Sequence, residues 1–355
     1  MQNINLPIIS ILLCVYLSGC TRCPLDESPG TLTDVSEEVS LVTALGPAQE
    51  WPEKKLLVAK EYANGIGSSA VIVMHNFRVV AEWGKTNLKM NSHEIRLSLM
   101  SALYGIAVQK DLIDISKTLA ELNIDDRPPV LTTKEKQATI EDLLKSRSGV
   151  YHDAALDTKD SKSKRPYRGA YDPGTYWYYN NWDFNVLITI FEQETKMKMG
   201  EAFFEWIAKP IGMQDFEKDD IDYVFDIASD HPAYPVWIST RDLARFAQLY
   251  LNDGNWQNKQ IIRKSWKDDS IKLYSATSSD LDNSEYFGYL WWLSLDGSYQ
   301  SRGEAEQKII IDPINNMIIV HRHDTCHVSQ KHRPTSEEVD ALFEKILKAH
   351  PDNNI

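Results

Sequence analysis

The chain has 355 residues, of which 43% are hydrophobic and 25% charged, and its formal net charge is −13. That apolar content excludes a disordered chain and is enough to bury one large core or two modest ones. The acidic balance argues against a nucleic-acid partner, which needs a basic face to neutralise phosphates.

The first residues do not read as part of a fold. Leu6 to Cys20, LPIISILLCVYLSGC, is an apolar run too short for an ordinary spanning helix, and it ends in small residues. Leu17-Ser18-Gly19-Cys20 matches the bacterial lipobox, which predicts a signal peptide over 1–19 and a lipid on Cys20. A plainly cleaved signal or an N-terminal anchor helix is the alternative, and the opening MQNIN lacks the usual Lys or Arg. Acyl chains on Cys20 would hold the protein to a membrane, outer membrane or cell surface, facing away from the cytoplasm. Residues 20–50, rich in Ser, Thr, Pro, Gly and acids, read as a tether. With Cys14 in the signal and Cys20 lipidated, Cys23 and Cys326 remain, and an oxidising compartment would let them pair.

A single domain is expected over 51–350. WPEKKLLVAKEYANG has the spacing of an amphipathic helix stopped at Asn64-Gly65, so the Tyr62-Ala63-Asn64 triplet is a helix end. SAVIVMHN and RVVAEWG are strands joined by a tight turn at Asn76-Phe77. HEIRLSLMSALYGIAV is apolar nearly all round, which predicts a helix buried on every side. The middle is helical: TIEDLLKSRSG, NWDFNVLITIFEQETK, GEAFFEWIAKPIGM and STRDLARFAQLYLNDG, the last with Ser239 placed three before Asp242 as in a capping box. FGYLWWLSL, QKIIIDP and MIIVHRH are late strand runs, and TSEEVDALFEKILKAH is a terminal helix. Runs of unlike elements favour an α+β fold: a central antiparallel sheet (about 51–110 and 285–350) flanked by helices, with a large helical insertion over about 111–284.

The segments SALYGIAVQKDLIDI, TIEDLLKSRSGVYH, PGTYWYYNNWDFNVL, IAKPIGMQDF and STRDLARFAQLYLNDG occur in that order. Together they resemble the serine β-lactamase and penicillin-binding-protein family, in its class C and esterase-like branch. The resemblance runs from about Trp51 to the terminal helix. It implies a Ser-x-x-Lys pair at the head of the buried helix, where lysine eases deprotonation of the serine. Those two positions hold Glu94 and Leu97. A carboxylate is a poor acyl acceptor, and leucine can neither take a proton nor carry charge. The resemblance also implies Tyr-x-Asn, retained as Tyr179-Asn180-Asn181, with Tyr179 assisting proton transfer and Asn181 helping to bind substrate. Its third element is a glycine-rich strand wall supporting an oxyanion hole. In SRGEAEQKIII, Gly303 and Gln307 remain, but Ala305 and Glu306 stand where relatives carry glycines, and Glu306 adds charge of the wrong sign for that role.

No other serine replaces the lost one. Ser98 and Ser101 have no lysine three residues on, and Ser161 with Lys164 lies in a polar run expected to be a solvated loop. HRHDTCHVSQKH gathers His321, His323, Asp324, Cys326, His327 and His332, a conceivable metal site, but no familiar zinc spacing is complete and a strand end explains it as well. Glu94 can be half of a structural ion pair with Arg96 and His93, or a general base for other chemistry.

The leading expectation is a lipid-anchored, extracytoplasmic, catalytically inactive homologue without a cofactor. Its cleft, rimmed by Tyr176, Trp177, Tyr178 and Trp182, would bind a cell-wall fragment, a small molecule or a protein. The alternatives are a divergent active hydrolase of esterase, peptidase or β-lactamase type, and a metal-dependent site near His321 and His323.

Overall fold

A computed structural model describes residues 50–277, 285–326 and 332–352. The expected signal (1–19), Cys20, Cys23, the expected tether up to residue 49 and His327 lie outside the described residues.

Helix α1 (Glu53–Gly65) leads into the hairpin of β1 (Ala70–His75) and β2 (Arg78–Gly84). Asn76 and Phe77 both take positive φ, 50° and 61°, the left-handed pair that matches the twist of a two-residue hairpin. After the short β3 (Met90–Asn91) comes a tight 3-10 turn, His93–Ile95, that runs directly into α2 (Arg96–Gln109). Twelve residues of α2, from Arg96 to Ala107, are buried, as its all-round apolar sequence predicts.

The helical middle is set by local signals. Thr139 and Asp142 form a reciprocal capping box on α3 (Ile140–Leu144). The run around Ser161, expected as a loop, is instead a short exposed helix, α4 (Lys159–Lys164), because Thr158 and Ser161 cap it reciprocally. α5 (Asn181–Thr195) and α6 (Met199–Phe203) follow, then the hairpin of β4 (Val224–Asp226) and β5 (Ser229–Ala233), and β6 (Trp237–Ile238), which pairs with β3. Ser239 caps α7 (Thr240–Leu251) by accepting the Asp242 N–H. The Asp242 carboxylate does not return to Ser239; it accepts N–H groups of Gln214, Asp215 and Phe216, tying the preceding loop to the helix.

β7 (Asn255–Trp256) and β8 (Lys259–Gln260) form a hairpin before α8 (Lys264–Ser270). Six late strands then build most of the sheet: β9 (Ser275–Ala276), β10 (Tyr286–Phe287), β11 (Trp292–Leu293), β12 (Tyr299–Gly303), β13 (Gln307–Asp312) and β14 (Met317–Arg322). FGYLWWLSL is therefore not one strand. Leu290 turns left-handed (φ 63°), and Gly288 passes so close to Ser270 that a Cβ would lie 2.2 Å from its carbonyl oxygen. The run folds back on itself, with Tyr286 opposite Leu293 and Phe287 opposite Trp292.

The main sheet has eight strands in the order β2-β1-β14-β13-β12-β11-β10-β9, each pairing antiparallel. Every residue of β1 and β14 is buried, because both faces of the sheet are covered. α1 and the terminal helix α9 (Ser336–Lys348) cover one face through Ala59, Ala63, Val339, Leu342 and Ile346. The other face supports the larger core, into which α2 and α7 pack. This is the β-lactamase/transpeptidase-like α+β fold that the sequence order implies.

Candidate active-site cleft

The head of α2 lies against the end of β12. A Cβ on Gly303 would stand 2.6 Å from the Ser92 carbonyl oxygen and 3.4 Å from the Glu94 nitrogen, so only glycine lets the strand approach the helix this closely. The glycine that the sequence suggested for ligand contact thus makes room for backbone. One turn further along, the Ser98 hydroxyl donates to Ser301 at 2.8 Å or Leu290 O at 3.0 Å, fastening α2 to the same strand. These contacts aim residue 94 at the strand end.

Glu94 takes up that position with its carboxylate. One oxygen accepts the backbone N–H of Glu304 at 3.1 Å, and the other accepts Arg96 Nη1 at 3.3 Å. The ion pair expected of Glu94 is present, but Arg96 is its buried member. The arginine is 1% exposed and the glutamate 29%. Leu97, which the resemblance sets at the lysine position, is 3% exposed and belongs to the large core.

His93 closes one side. Its Nδ1 lies 3.3 Å from Glu304 Oε2 and its Nε2 2.9 Å from Thr325 Oγ1. A carboxylate can only accept, so Nδ1 carries the proton and Nε2 accepts from the threonine. Burial pulls the imidazole below its ordinary range, against the upward pull of Glu94 and Glu304, so the ring is neutral at pH 7.

Tyr179 is stacked on Trp292 (5.8 Å between ring centres) and edge-on to Phe184. Its hydroxyl is pushed well above the usual phenol range, first by burial and then by Glu94, with Arg96 opposing. A phenol held neutral this firmly is a poor proton acceptor. Tyr234, fully buried beside Arg96, is pushed up by burial in the same way. Trp177 and Phe287 complete an aromatic wall with Trp292.

Other expected site residues are placed elsewhere. Trp182 does not rim the cleft: it is fully buried, and its indole N–H donates to Asp126 at 2.7 Å, since a large ring on the inner face of α5 finds core and an acceptor there. Gln307 is likewise buried and structural. Its amide donates to Asn91 O at 3.1 Å or Glu304 O at 3.3 Å, and its oxygen accepts Arg322 Nε. The Tyr178 hydroxyl donates to Ser161 O at 2.7 Å and its ring packs on Tyr151. Asn181 is held by Leu156 O (3.2 Å) or Asp157 Oδ1 (3.3 Å), and its neighbour Asn180 binds Val150 O and Asp183. Of the triplet, Tyr179 feels the charges of Glu94 and Arg96, whereas both asparagine amides serve neighbouring loops.

Ser161 spends its hydroxyl on Thr158, and Lys164 pairs with Asp160. The late histidines are also committed: His321 Nδ1 donates to Glu306 O at 2.8 Å while Nε2 accepts from Ser68 Oγ at 2.9 Å, and His323 Nδ1 lies 3.0 Å from Gly67 O. His332 pairs with Glu338. Among the described residues, no group of three or more His, Cys, Asp or Glu side chains is placed to hold a metal ion. Cys326 is disulfide-bonded, and the other three cysteines all lie outside the described residues.

Arg96, Tyr234, Trp292 and Glu304 were not singled out as cleft residues by motif spacing. Arg96 had a signal, a cation inside an otherwise apolar helix; Tyr234 had none.

The fold is shared with solved structures. A Bacillus anthracis protein provisionally titled a 6-aminohexanoate-dimer hydrolase aligns over 90% of each chain at 20% identity, with a TM-score of 0.61. A penicillin-binding protein homologue from Caulobacter crescentus aligns over 85% of this chain and 99% of its own at 13% identity (TM-score 0.62). A family VIII carboxylesterase aligns over 84% and 96% at 12% identity (TM-score 0.61). Such identities establish likeness of fold. A comparison with curated proteins finds no match. The beta-lactamase family model matches residues 98–322, starting one residue beyond Leu97 and spanning more than half of the chain: this protein belongs to the beta-lactamase family.

Proposed function

We propose that this protein is a lipid-anchored, extracytoplasmic member of the family whose cleft binds a ligand without acyl transfer. The observation that carries the reading is the pair at the head of α2. The resemblance sets Glu94 and Leu97 at the serine and lysine positions. Supporting the reading, the Glu94 carboxylate is bound to Glu304 N–H and Arg96, and Leu97 is sealed in the core. Acyl transfer needs a nucleophile, a base and a donor for the developing oxyanion. Here the first two are missing, and a strand-end N–H is occupied by a fixed negative charge. The aromatic wall of Tyr179, Trp177 and Trp292 remains as a surface for a cell-wall fragment, another small molecule or a peptide. A disulfide at Cys326 supports an oxidising compartment, as expected beyond the cytoplasmic membrane.

Intact mass after incubation with a fluorophosphonate, and separately with a reactive β-lactam, tests the chemistry. The natural chain is expected to gain no adduct, and Glu94→Ser with Leu97→Lys serves as the companion in which labelling can return. One adduct per natural chain overturns the reading, and peptide mapping then names the nucleophile. Incorporation of a palmitate analogue, lost in Cys20→Ser, tests the anchor.

A further inference from the structure

Arg96 is buried, yet Glu94 engages a single one of its nitrogens, Nη1. Its Nε and Nη2 have no hydrogen-bond partner among the described residues. These two nitrogens lie along one edge of the planar guanidinium, and their N–H groups point the same way. Tyr234, also fully buried, has its ring centre 5.3 Å from the guanidinium carbon, and its hydroxyl is unpartnered too. Buried donors are almost always paired, and three of the twenty unpartnered buried polar atoms among the described residues fall in these two adjoining side chains, where an occupant would pair them.

The chemistry of that occupant follows from the edge. Two parallel N–H groups match the two oxygens of a carboxylate, which a lone hydroxyl or amide cannot do. Charge favours a monoanion, because Glu94 already takes part of the arginine's charge and would repel a dianion such as phosphate. We propose that the Nε/Nη2 edge of Arg96 and the hydroxyl of Tyr234 form a subsite for the carboxylate of a small ligand. The inference rests on the reading of the cleft as a binding site and narrows its ligand class. Tyr179, which feels the charges of Glu94 and Arg96, is stacked on Trp292 and offers an aromatic face for the rest of such a molecule.

Calorimetric titration of the full chain with acetate and N-acetylglycine, against acetamide and inorganic phosphate at constant ionic strength, tests the subsite. Saturable binding of the two carboxylates and none of acetamide is expected. Arg96→Lys, which lacks the planar fork, is expected to weaken binding by ~30-fold or more. Tyr234→Phe removes one hydroxyl without a cavity and is expected to cost roughly 5–10-fold with the circular dichroism spectrum unchanged. Absence of saturable carboxylate binding, preference for phosphate, or equal affinity in folded Tyr234→Phe overturns the proposal. So does a crystal structure grown with acetate that shows water alone on Arg96 and Tyr234. An acyl adduct on the natural chain alongside intact carboxylate binding would sink the non-catalytic reading and leave this subsite standing.

Discussion

The carboxylate of Glu94 accepts the backbone N–H of Glu304 at 3.1 Å, joining two residues 210 positions apart in the chain. In the motif this chain resembles, the strand end supports a hole for negative charge that appears only during reaction. Here that strand end faces a permanent charge, which also neutralises part of Arg96. On the proposed reading, Glu94 takes the nucleophile's place and its carboxylate becomes a tenant for the site.

The pairing makes Glu94 a stability element. Glu94→Ala leaves the Arg96 charge buried without its ion partner and is expected to cost about 2 kcal/mol, below the usual range for a buried pair because Glu94 is partly solvated. Glu94→Gln keeps an acceptor for Glu304 N–H and is expected to cost about half of that. Urea midpoints measure both, and an unchanged midpoint for Glu94→Ala would remove the pair from the account.

The loop between β12 and β13 is strained. Ala305 and Glu306, between Gly303 and Gln307, sit at φ of 59° and 56°. Ala305→Gly relieves a left-handed conformation that costs a Cβ-bearing residue about 1–2 kcal/mol, offset by the greater entropy of unfolded glycine. A net gain of about 0.5–1 kcal/mol in thermal or urea unfolding is expected. Glu304→Gly, at a position outside the left-handed region, gains nothing.

Acid destabilises the fold in a defined window. Burial lowers His321 from its ordinary 6.5 to about 4. Between those values the unfolded chain binds a proton that the folded chain refuses, so this contribution is complete above pH 6.5 and is lost as pH falls toward 4. His321 alone accounts for roughly 3 kcal/mol over that range. Stability against pH in the natural chain and in His321→Gln checks this: the slope between pH 6.5 and 4 is expected to flatten in the variant.

Trp182 separates a core role from a ligand role. Trp182→Phe removes the hydrogen bond to Asp126 and is expected to lower stability by about 1–2 kcal/mol. Binding of a carboxylate probe is expected to stay unchanged, and a loss of binding with stability intact would return Trp182 to the cleft.

The disulfide and the lipid test each other. If Cys20 carries lipid as proposed, it has no thiol to give, and non-reducing peptide mapping of the full chain is expected to join Cys326 to Cys23. A Cys20–Cys326 link would end the lipobox reading.

Much of the fold was written locally. The β1–β2 turn at Asn76-Phe77 and the caps Thr139–Asp142 and Thr335–Glu338 depend on residues a few positions apart, so their geometry is readable without the rest of the molecule. The late strands were read less well. FGYLWWLSL has strand composition throughout, and what splits it is the approach of Ser270 to Gly288. The aromatic and polar residues beside the motifs misled for a similar reason: Trp182 and Gln307 carry polar groups that suit a cleft, but Asp126 and Arg322 claim them inside the protein.

By itself the sequence determined the family order of segments, because that order rests on residue type and short spacing along the chain. Only the tertiary structure decided where the leftover charges go. Glu304 and Tyr234 reach the head of α2 from segments more than a hundred residues away. A guanidinium buried there has to find its partners in space, and no spacing rule along the chain names them.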